Sequence, residues 1–213
     1  MNRKLSISLF IFAGFFVFAQ CKKQEEITND SHTIVQDLSF TDSEKAIIFN
    51  NSIDSAYRIM NYFVYADSIV LRKQSRNVDF SDTSTLFYLT DRLHVTVIKG
   101  GGIGIAAPQV GINRNIIWVQ RYDKGSIASH PWELYLNPVI TKYSDTLKLR
   151  NDGCLSIPGV SGQSWRAIWV NVEYDLPNGT HKSEHISQEY TAHIFQHEID
   201  HLNGILFIDR LKI

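Results

Sequence analysis

His197-Glu198-Ile199-Asp200-His201 stands near the end of EYTAHIFQHEIDHL (189–202), and the reading of that stretch decides the fold. The flanking Ile194, Phe195 and Leu202 predict a buried helix over Glu189–Leu202. On a helix, residues i and i+4 share a face, so both imidazoles can reach one metal ion. The glutamate at i+1 lies beside them, where it can take a proton from water activated by that ion. The composition gives roughly 0.01 chance matches to such a motif. Two histidines and a glutamate buried together without a metal would be costly to desolvate.

A catalytic metal site needs a third protein ligand and an open position. Only 12 residues follow His201, and none of them is Glu or His, so the ligand comes from upstream. Cys154, in Asp152-Gly153-Cys154-Leu155-Ser156, is the candidate. A lone cysteine is most often a small buried hydrophobe, but a thiolate beside two imidazoles is a good soft ligand for a first-row divalent metal. A third segment, Gly102-Ile103-Gly104-Ile105-Ala106-Ala107-Pro108-Gln109, lacks the spacing of a phosphate loop. It reads as a tight backbone passage beside a site, with Gln109 as a polar handle.

Around these segments the body reads as mixed α and β. One helical pattern spans Asp42 to Phe63, with Asp42 or Ser43 as its cap. A second covers Thr83 to Ile98, with Leu86, Leu89, Leu93 and Val97 as its buried stripe and His94 beside the stripe at the surface. Gly100-Gly101-Gly102 ends it. Strands are expected over Asn115–Arg121, Glu133–Ile140, Trp165–Tyr174 and Thr180–Ser187, the last two joined by a Pro177-Asn178-Gly179 turn. His181 and His185 sit in that exposed hairpin. No internal repeat is visible, and one domain is expected from residue 38 to 213. A formal net charge of -1 argues against a nucleic-acid partner. Two cysteines cannot supply a disulfide framework.

The N-terminus reads as an address. Arg3 and Lys4 precede an apolar run from Leu5 to Ala19, too short for a comfortable bilayer span. The run ends at Phe18-Ala19-Gln20-Cys21, which resembles a bacterial lipoprotein signal with Cys21 as the lipidated residue, although Gln20 departs from the usual small residue. Residues 1–20 are thus read as a signal peptide and 21–37 as a flexible polar tether, in which His32 is solvated. The implied location is the bacterial cell envelope, lipid-anchored to a membrane on its periplasmic or surface face.

GIGIAAPQ (102–109), DGCLS (152–156) and HEIDH (197–201), in this order, resemble peptide deformylase. The similarity extends from about Asp67 to Asp209. The resemblance implies an α+β fold, with antiparallel β-sheets packed around a central metal-binding helix. It implies one divalent ion, Fe²⁺ in the family with Zn²⁺ or Ni²⁺ as replacements, held by Cys154, His197 and His201 with water in the fourth position. Glu198 would be the general acid/base, with the Gln109 side chain and the Leu155 backbone N–H stabilising the oxyanion. Gly104 would let the backbone approach closely, with Ile103 beside it in the pocket.

The departures are informative. Asp152 stands where the family has a glutamate paired to arginine; Arg166 is its candidate partner, and the shorter acid has less reach. Tyr190 and His193 stand where the family places aliphatic pocket residues, and Arg150 where an apolar residue is common. His193 is expected to line the pocket or form a hydrogen bond rather than to ligate, and Asp200 to orient a ligand or accept a hydrogen bond nearby. The expected activity is hydrolysis of the formyl group from N-formylmethionyl peptides. The alternatives are an envelope metallo-amidase acting on another N-acylated or amide substrate, and a non-catalytic metal-binding lipoprotein.

Overall fold

The computed structural model describes residues 38–126 and 128–212. The signal peptide, Cys21 and the tether expected over 1–37 lie outside the described residues, as does His32. Thr41 opens α1 (Asp42–Ile48) with a capping box: its hydroxyl accepts from the Glu44 N–H, and Glu44 accepts from the Thr41 N–H. The single helix expected from Asp42 to Phe63 does not form. Helix α1 stops at Ile48, whose carbonyl is taken by Arg92 Nη1 at 2.7 Å and by the Tyr57 hydroxyl at 3.2 Å. Asn50-Asn51-Ser52 then favours turns over helix.

Beyond this break the backbone amides are donated to other parts of the fold. Tyr57 N–H goes to Thr96 Oγ1, Met60 N–H to the Gln109 carbonyl and Tyr62 N–H to the Ser156 carbonyl, each at 2.8 Å. The apolar residues in this stretch therefore serve an extended strap across the core. Only at Tyr65 does a second helix begin, α2 (Tyr65–Leu71).

Helix α3 (Thr83–Gly100) follows, capped by the Asp82 side chain and ended by Gly101 at a positive φ of 68°. Its stripe of Leu86, Leu89, Leu93 and Val97 is fully buried. His94 departs from the surface position expected for it: it is half-buried, with its ring 4.5 Å from Trp118 and 5.3 Å from Trp132. Two indoles offer the imidazole a better contact than water does.

Among the described residues, seven strands complete the domain. They are β1 (Gly104–Ala106), β2 (Ile116–Gln120), β3 (Trp132–Tyr143), β4 (Leu147–Gly153), β5 (Ser161–Ala167), β6 (Val170–Asp175) and β7 (His181–Ile186). One sheet has the order β1-β2-β3-β6-β7, and β4 and β5 form a separate hairpin; the pairings between these strands are antiparallel. Trp165–Tyr174 thus divides between two sheets, contrary to the single strand expected. The reason is a shared crossing point. Tyr143 pairs with Val170 in the large sheet, and Leu147 pairs with Ala167 in the hairpin. Between them, Ser144 N–H bonds the Trp169 carbonyl and Ile168 N–H the Thr146 carbonyl, so both chains leave one sheet for the other together.

Helix α4 (Glu189–Leu202) is buried along nearly its whole length. Ala192, Phe195, Ile199 and Leu202 pack with Ile117, Val119, Val170 and Val172 of the large sheet. Gln196 bonds both the N–H and the carbonyl of Ala167 at 2.9 Å, which locks the helix to β5. The architecture is the α+β arrangement of antiparallel sheets around a central helix.

At the start of α2, buried Asp67 accepts from Arg58 at 2.7 and 2.8 Å and from the Asn61 N–H at 2.8 Å. The Arg58 hydrogen bonds, helped by that amide, lower its pKa to about 2. A carboxyl depressed in the folded state stabilises above its unfolded pKa, near 4, and loses that contribution as pH falls toward 2. Because Arg58 is exposed, the contribution is about 1–2 kcal/mol after screening. Asp67→Asn is expected to show most of this loss in urea unfolding at pH 7 and little of it at pH 2. A difference between the two proteins that does not change with pH would contradict the assignment.

Candidate active site

Three segments far apart in sequence meet at the buried face of α4. Cys154 follows the end of β4, while His197 and His201 stand one turn apart on α4. Cys154 Sγ lies 3.2 Å from His201 Nε2, and the ligand atoms of Cys154, His197 and His201 all fall within 4.8 Å of one another. His197 turns its Nδ1 to Asp152 Oδ1 at 2.8 Å, leaving Nε2 for the common centre.

Asp152 organises this corner. Its carboxylate accepts from His197, from Ser164 Oγ at 2.8 Å, from Arg166 Nη2 at 3.0 Å and from the Gly153 N–H at 3.0 Å. His193 Nε2 lies 3.2 Å from its Oδ2. The shorter acid therefore does reach Arg166: β4 and β5 are directly paired, with Asp152 opposite Gly162, which brings Ser164 and Arg166 within range. Burial alone would raise the Asp152 pKa, but the hydrogen bonds from His193 and His197 hold it well below the usual carboxylate range. An ionised Asp152 fixes the proton of His197 on Nδ1.

Burial acts on both histidines, with opposite outcomes. His201 is held well below its ordinary pKa by burial, then by the charge of His197, so it stands neutral with a free lone pair. Burial opposes charging of His197 too, but hydrogen bonds to Asp152 and Cys154 prevail and raise its pKa well above the ordinary value. A proton and a cation compete for His197 Nε2, since Nδ1 is engaged by Asp152.

Glu198 is 4% exposed, and its Oε2 has no hydrogen-bond partner among the described residues. Burial pushes its carboxyl up to about 7. Gly104 on β1 makes room for it: a Cβ there would fall 2.5 Å from Glu198 Oε1 and 2.9 Å from Ile194 Cγ2. Gln109 lies in the 3-10 turn Ala107–Val110 after β1. Its Oε1 accepts from the Ala106 N–H at 2.8 Å, and this fixes the amide so that Nε2 faces Cys154 Sγ and Ser156 Oγ, each at 3.5 Å.

A cavity of about 460 Å³ opens over this cluster. Ile103, Gly104, Gln109, Leu155, Tyr190 and His193 all contribute to its wall, together with His197 and Glu198 at its floor. Tyr190 is 36% exposed and stacks edge-on against Tyr122 at 4.9 Å. Arg150 turns away to pair with Glu189. Asp200 touches neither histidine ligand candidate through its carboxylate; it accepts from Arg166 Nη1 at 2.5 Å and from Arg210 at 2.6 and 2.7 Å.

Ser164, Ser156 and Arg210 were not singled out by sequence reasoning. Ser164 carried a signal, since it stands two residues before Arg166 and therefore on the same face of a strand. Arg210 carried none, because its approach to Asp200 depends on how the chain turns after α4.

The description "Polypeptide deformylase" belongs to the family model that matches residues 60–213. A peptide deformylase of Chloroflexus aurantiacus is 34% identical over 164 residues, which cover 73% of this chain and 87% of the relative. One of Desulforudis audaxviator is 37% identical over 147 residues, covering 68% and 89%. Among solved structures, the Met-Ala-Ser-bound class I type b peptide deformylase of Acinetobacter baumannii is similar at a TM-score of 0.66 and 31% identity, covering 74% of this chain and 99% of its own. The Thermotoga maritima peptide deformylase is similar at 0.64 and 32%, covering 75% and 99%.

Proposed function

This chain belongs to the polypeptide deformylase family of hydrolases, and from that premise we propose that its pocket hydrolyses the formamide bond of N-formylmethionyl peptides. The single observation that carries the reading is the convergence of Cys154, His197 and His201 beside the buried Glu198 carboxyl, whose Oε2 has no hydrogen-bond partner among the described residues. One thiolate and two imidazoles suit a divalent first-row cation, Fe²⁺ by resemblance with Zn²⁺ or Ni²⁺ able to replace it. Held by these three donors, such an ion supplies Lewis acidity, bringing the pKa of water toward neutrality and polarising a carbonyl oxygen.

The chain's own groups do the rest. Glu198 takes the proton released as water oxygen bonds to the formyl carbon, and passes it to the peptide nitrogen as the C–N bond breaks. Formic acid and a free amine result, and the acid gives up its remaining proton to solvent as formate. A carboxyl with a pKa of about 7 is matched to both halves of that transfer. Gln109 Nε2, fixed by the Ala106 amide, donates to the developing oxyanion, and the Leu155 backbone N–H is the second donor. Each such donor is worth about 3–4 kcal/mol in the transition state. Asp152 and Arg166 hold His197 in place behind the reaction.

Gly104→Ala tests the closeness of this packing. Its Cβ would meet Glu198 Oε1 at 2.5 Å, so the carboxyl must shift. About a 100-fold loss of kcat/KM is expected with the domain still folded, because an ångström of misplacement costs about that much. Unchanged kinetics would place Glu198 outside the reaction.

The basic start, the apolar run and Cys21 support export and a lipid anchor in the bacterial envelope. An exported enzyme meets no ribosome, so its substrates are formylated peptides outside the cytoplasm. The polar wall at Tyr190 and His193 favours a second reading, an amidase for another N-acyl group. Against it, His193 Nε2 is turned to Asp152 and Arg150 to Glu189, so much of that polarity is used within the protein. The purified full chain, loaded with Fe²⁺ or Zn²⁺, is expected to deformylate formyl-Met peptides and to leave acetyl-Met peptides intact. Activity on acetylated peptides alone would select the second reading. Tight metal binding without turnover on either would make the protein a binding module.

A further inference from the structure

Besides His201 Nε2, two N–H groups are aimed at Cys154 Sγ. The Ser156 backbone N–H lies 3.4 Å from the sulfur and Gln109 Nε2 lies 3.5 Å from it. They come from two different loops, and each is held in place. The Ile157 N–H bonds the Cys154 carbonyl at 3.0 Å, which curls the chain so that the amide two residues after Cys154 faces back to its side chain. Ser156 is fully buried, and its carbonyl is taken by the Tyr62 N–H at 2.8 Å. On the other loop the Gln109 carbonyl is taken by the Met60 N–H at 2.8 Å. The Gln109 amide cannot turn over, because that would set Nε2 against the Ala106 N–H, to which Oε1 is bonded at 2.8 Å. One strap thus braces both residues whose N–H groups face the sulfur.

We propose that Gln109 Nε2 and the Ser156 N–H form a donor pair on the Cys154 thiolate, and that this pair limits the negative charge the sulfur shares with a bound cation. The inference rests on the metal-site reading above. It makes Gln109 a tuning residue that acts through the ligand sulfur, in addition to its contact with the substrate.

Of the three ligand candidates, only the thiolate brings a formal negative charge. Given to the cation in full, that charge would weaken its pull on the electrons of a water or carbonyl oxygen. A hydrogen bond from an N–H keeps part of the charge on the sulfur. Hydrogen bonds to ligand sulfur are among the levers by which a protein adjusts the metal it holds. Among the described residues no arginine or lysine is hydrogen-bonded to Sγ, so the adjustment falls to these two neutral donors. Neutral donors also avoid setting a second positive charge beside the cation, where the repulsion would be large. The second neighbour of Gln109 Nε2 is Ser156 Oγ, at 3.5 Å, so both of its hydrogens have an acceptor on the loop that carries the sulfur.

The test uses the full chain loaded with Co²⁺ alone and reads the near-ultraviolet absorption band that arises when a thiolate passes charge to cobalt. The energy of that band falls as the sulfur becomes richer in electrons. Gln109→Met keeps the length of the side chain and removes its N–H groups; Gln109→Asn keeps the amide and draws it back by one methylene. The parent is expected to show the band and Cys154→Ser to lack it. In both Gln109 variants the band is expected at longer wavelength. In Glu198→Gln, at a residue that is not hydrogen-bonded to the sulfur, it is expected not to move. A band that stays in place, or moves to shorter wavelength, in both Gln109 variants would overturn the proposal and leave the metal site standing. A parent with no sulfur band would overturn the metal-site reading and the proposal with it. A shift in Glu198→Gln as large as in the Gln109 variants would assign the effect to a general rearrangement of the pocket and overturn the proposal.

Discussion

Glu198→Gln is expected to lower kcat/KM on a formyl-Met peptide by about 100- to 10,000-fold, the range spanned by a single general acid/base. The substitution keeps the size of the side chain, so the cavity and the donor set of Cys154, His197 and His201 stay as they are. The Gln109 amide does not depend on it either, since its Oε1 is held by the Ala106 N–H. The loss should therefore fall on kcat, with the metal content unchanged. Stability should not fall with it. Burial has raised the Glu198 carboxyl to about 7, which means that folding disfavours its ionised form. An acid raised in the folded state detracts from stability once pH exceeds its unfolded value, near 4.5. Glutamine carries no charge at any pH, so the variant should resist urea at least as well as its parent at pH 7. Loss of activity together with loss of stability would mean that Glu198 is a structural group.

Asp152→Ala is expected to have the opposite profile, with a stability loss of about 1–3 kcal/mol, the cost of leaving buried donors without their acceptor. It would leave Arg166 Nη2 without its acceptor, although Asp200 still holds Nη1, and remove the acceptor for His197 Nδ1 and Ser164 Oγ. Metal affinity should fall by about 10- to 100-fold, because the ring that presents Nε2 is no longer held in orientation or tautomer. Asp152→Asn retains the shape and an acceptor oxygen, so it should recover part of the stability. Urea unfolding with a parallel metal titration measures both effects. An Asp152→Ala protein as stable and as tightly metallated as the parent would show that the polar cluster is incidental.

What could be read from the sequence follows the range of the interactions involved. Helix α4 was legible because its burial and its motif are local, and α3 because Leu86, Leu89, Leu93 and Val97 repeat on one face. The stretch from Asp42 to Phe63 misled because its apolar spacing is helical, while its amides are claimed by Thr96, Gln109 and Ser156 from elsewhere in the chain. Strand β1 is three residues long and β4 fully buries only Asp152, so neither carries a strong alternating pattern. The exchange of partners near Ser144 and Trp169 is set by two chains at once and leaves no trace in either alone.

The candidate site divides in the same way. Each of its three segments was visible singly, and their resemblance to a known order of motifs suggested that they meet. Spacing within α4 placed His197 and His201 on one face, but nothing local could place Cys154 beside them. The fan of donors on Asp152 also depends on the pairing of β4 with β5, which sets Ser164 and Arg166 within reach.

X-ray absorption at the metal edge of the purified full chain tests the central claim most directly. One bound ion per chain is expected, with one sulfur at about 2.3 Å and two imidazole nitrogens at about 2.0–2.1 Å if the ion is zinc. The sulfur signal should vanish in Cys154→Ser. A shell without sulfur, or one closed by four protein donors, would contradict the account.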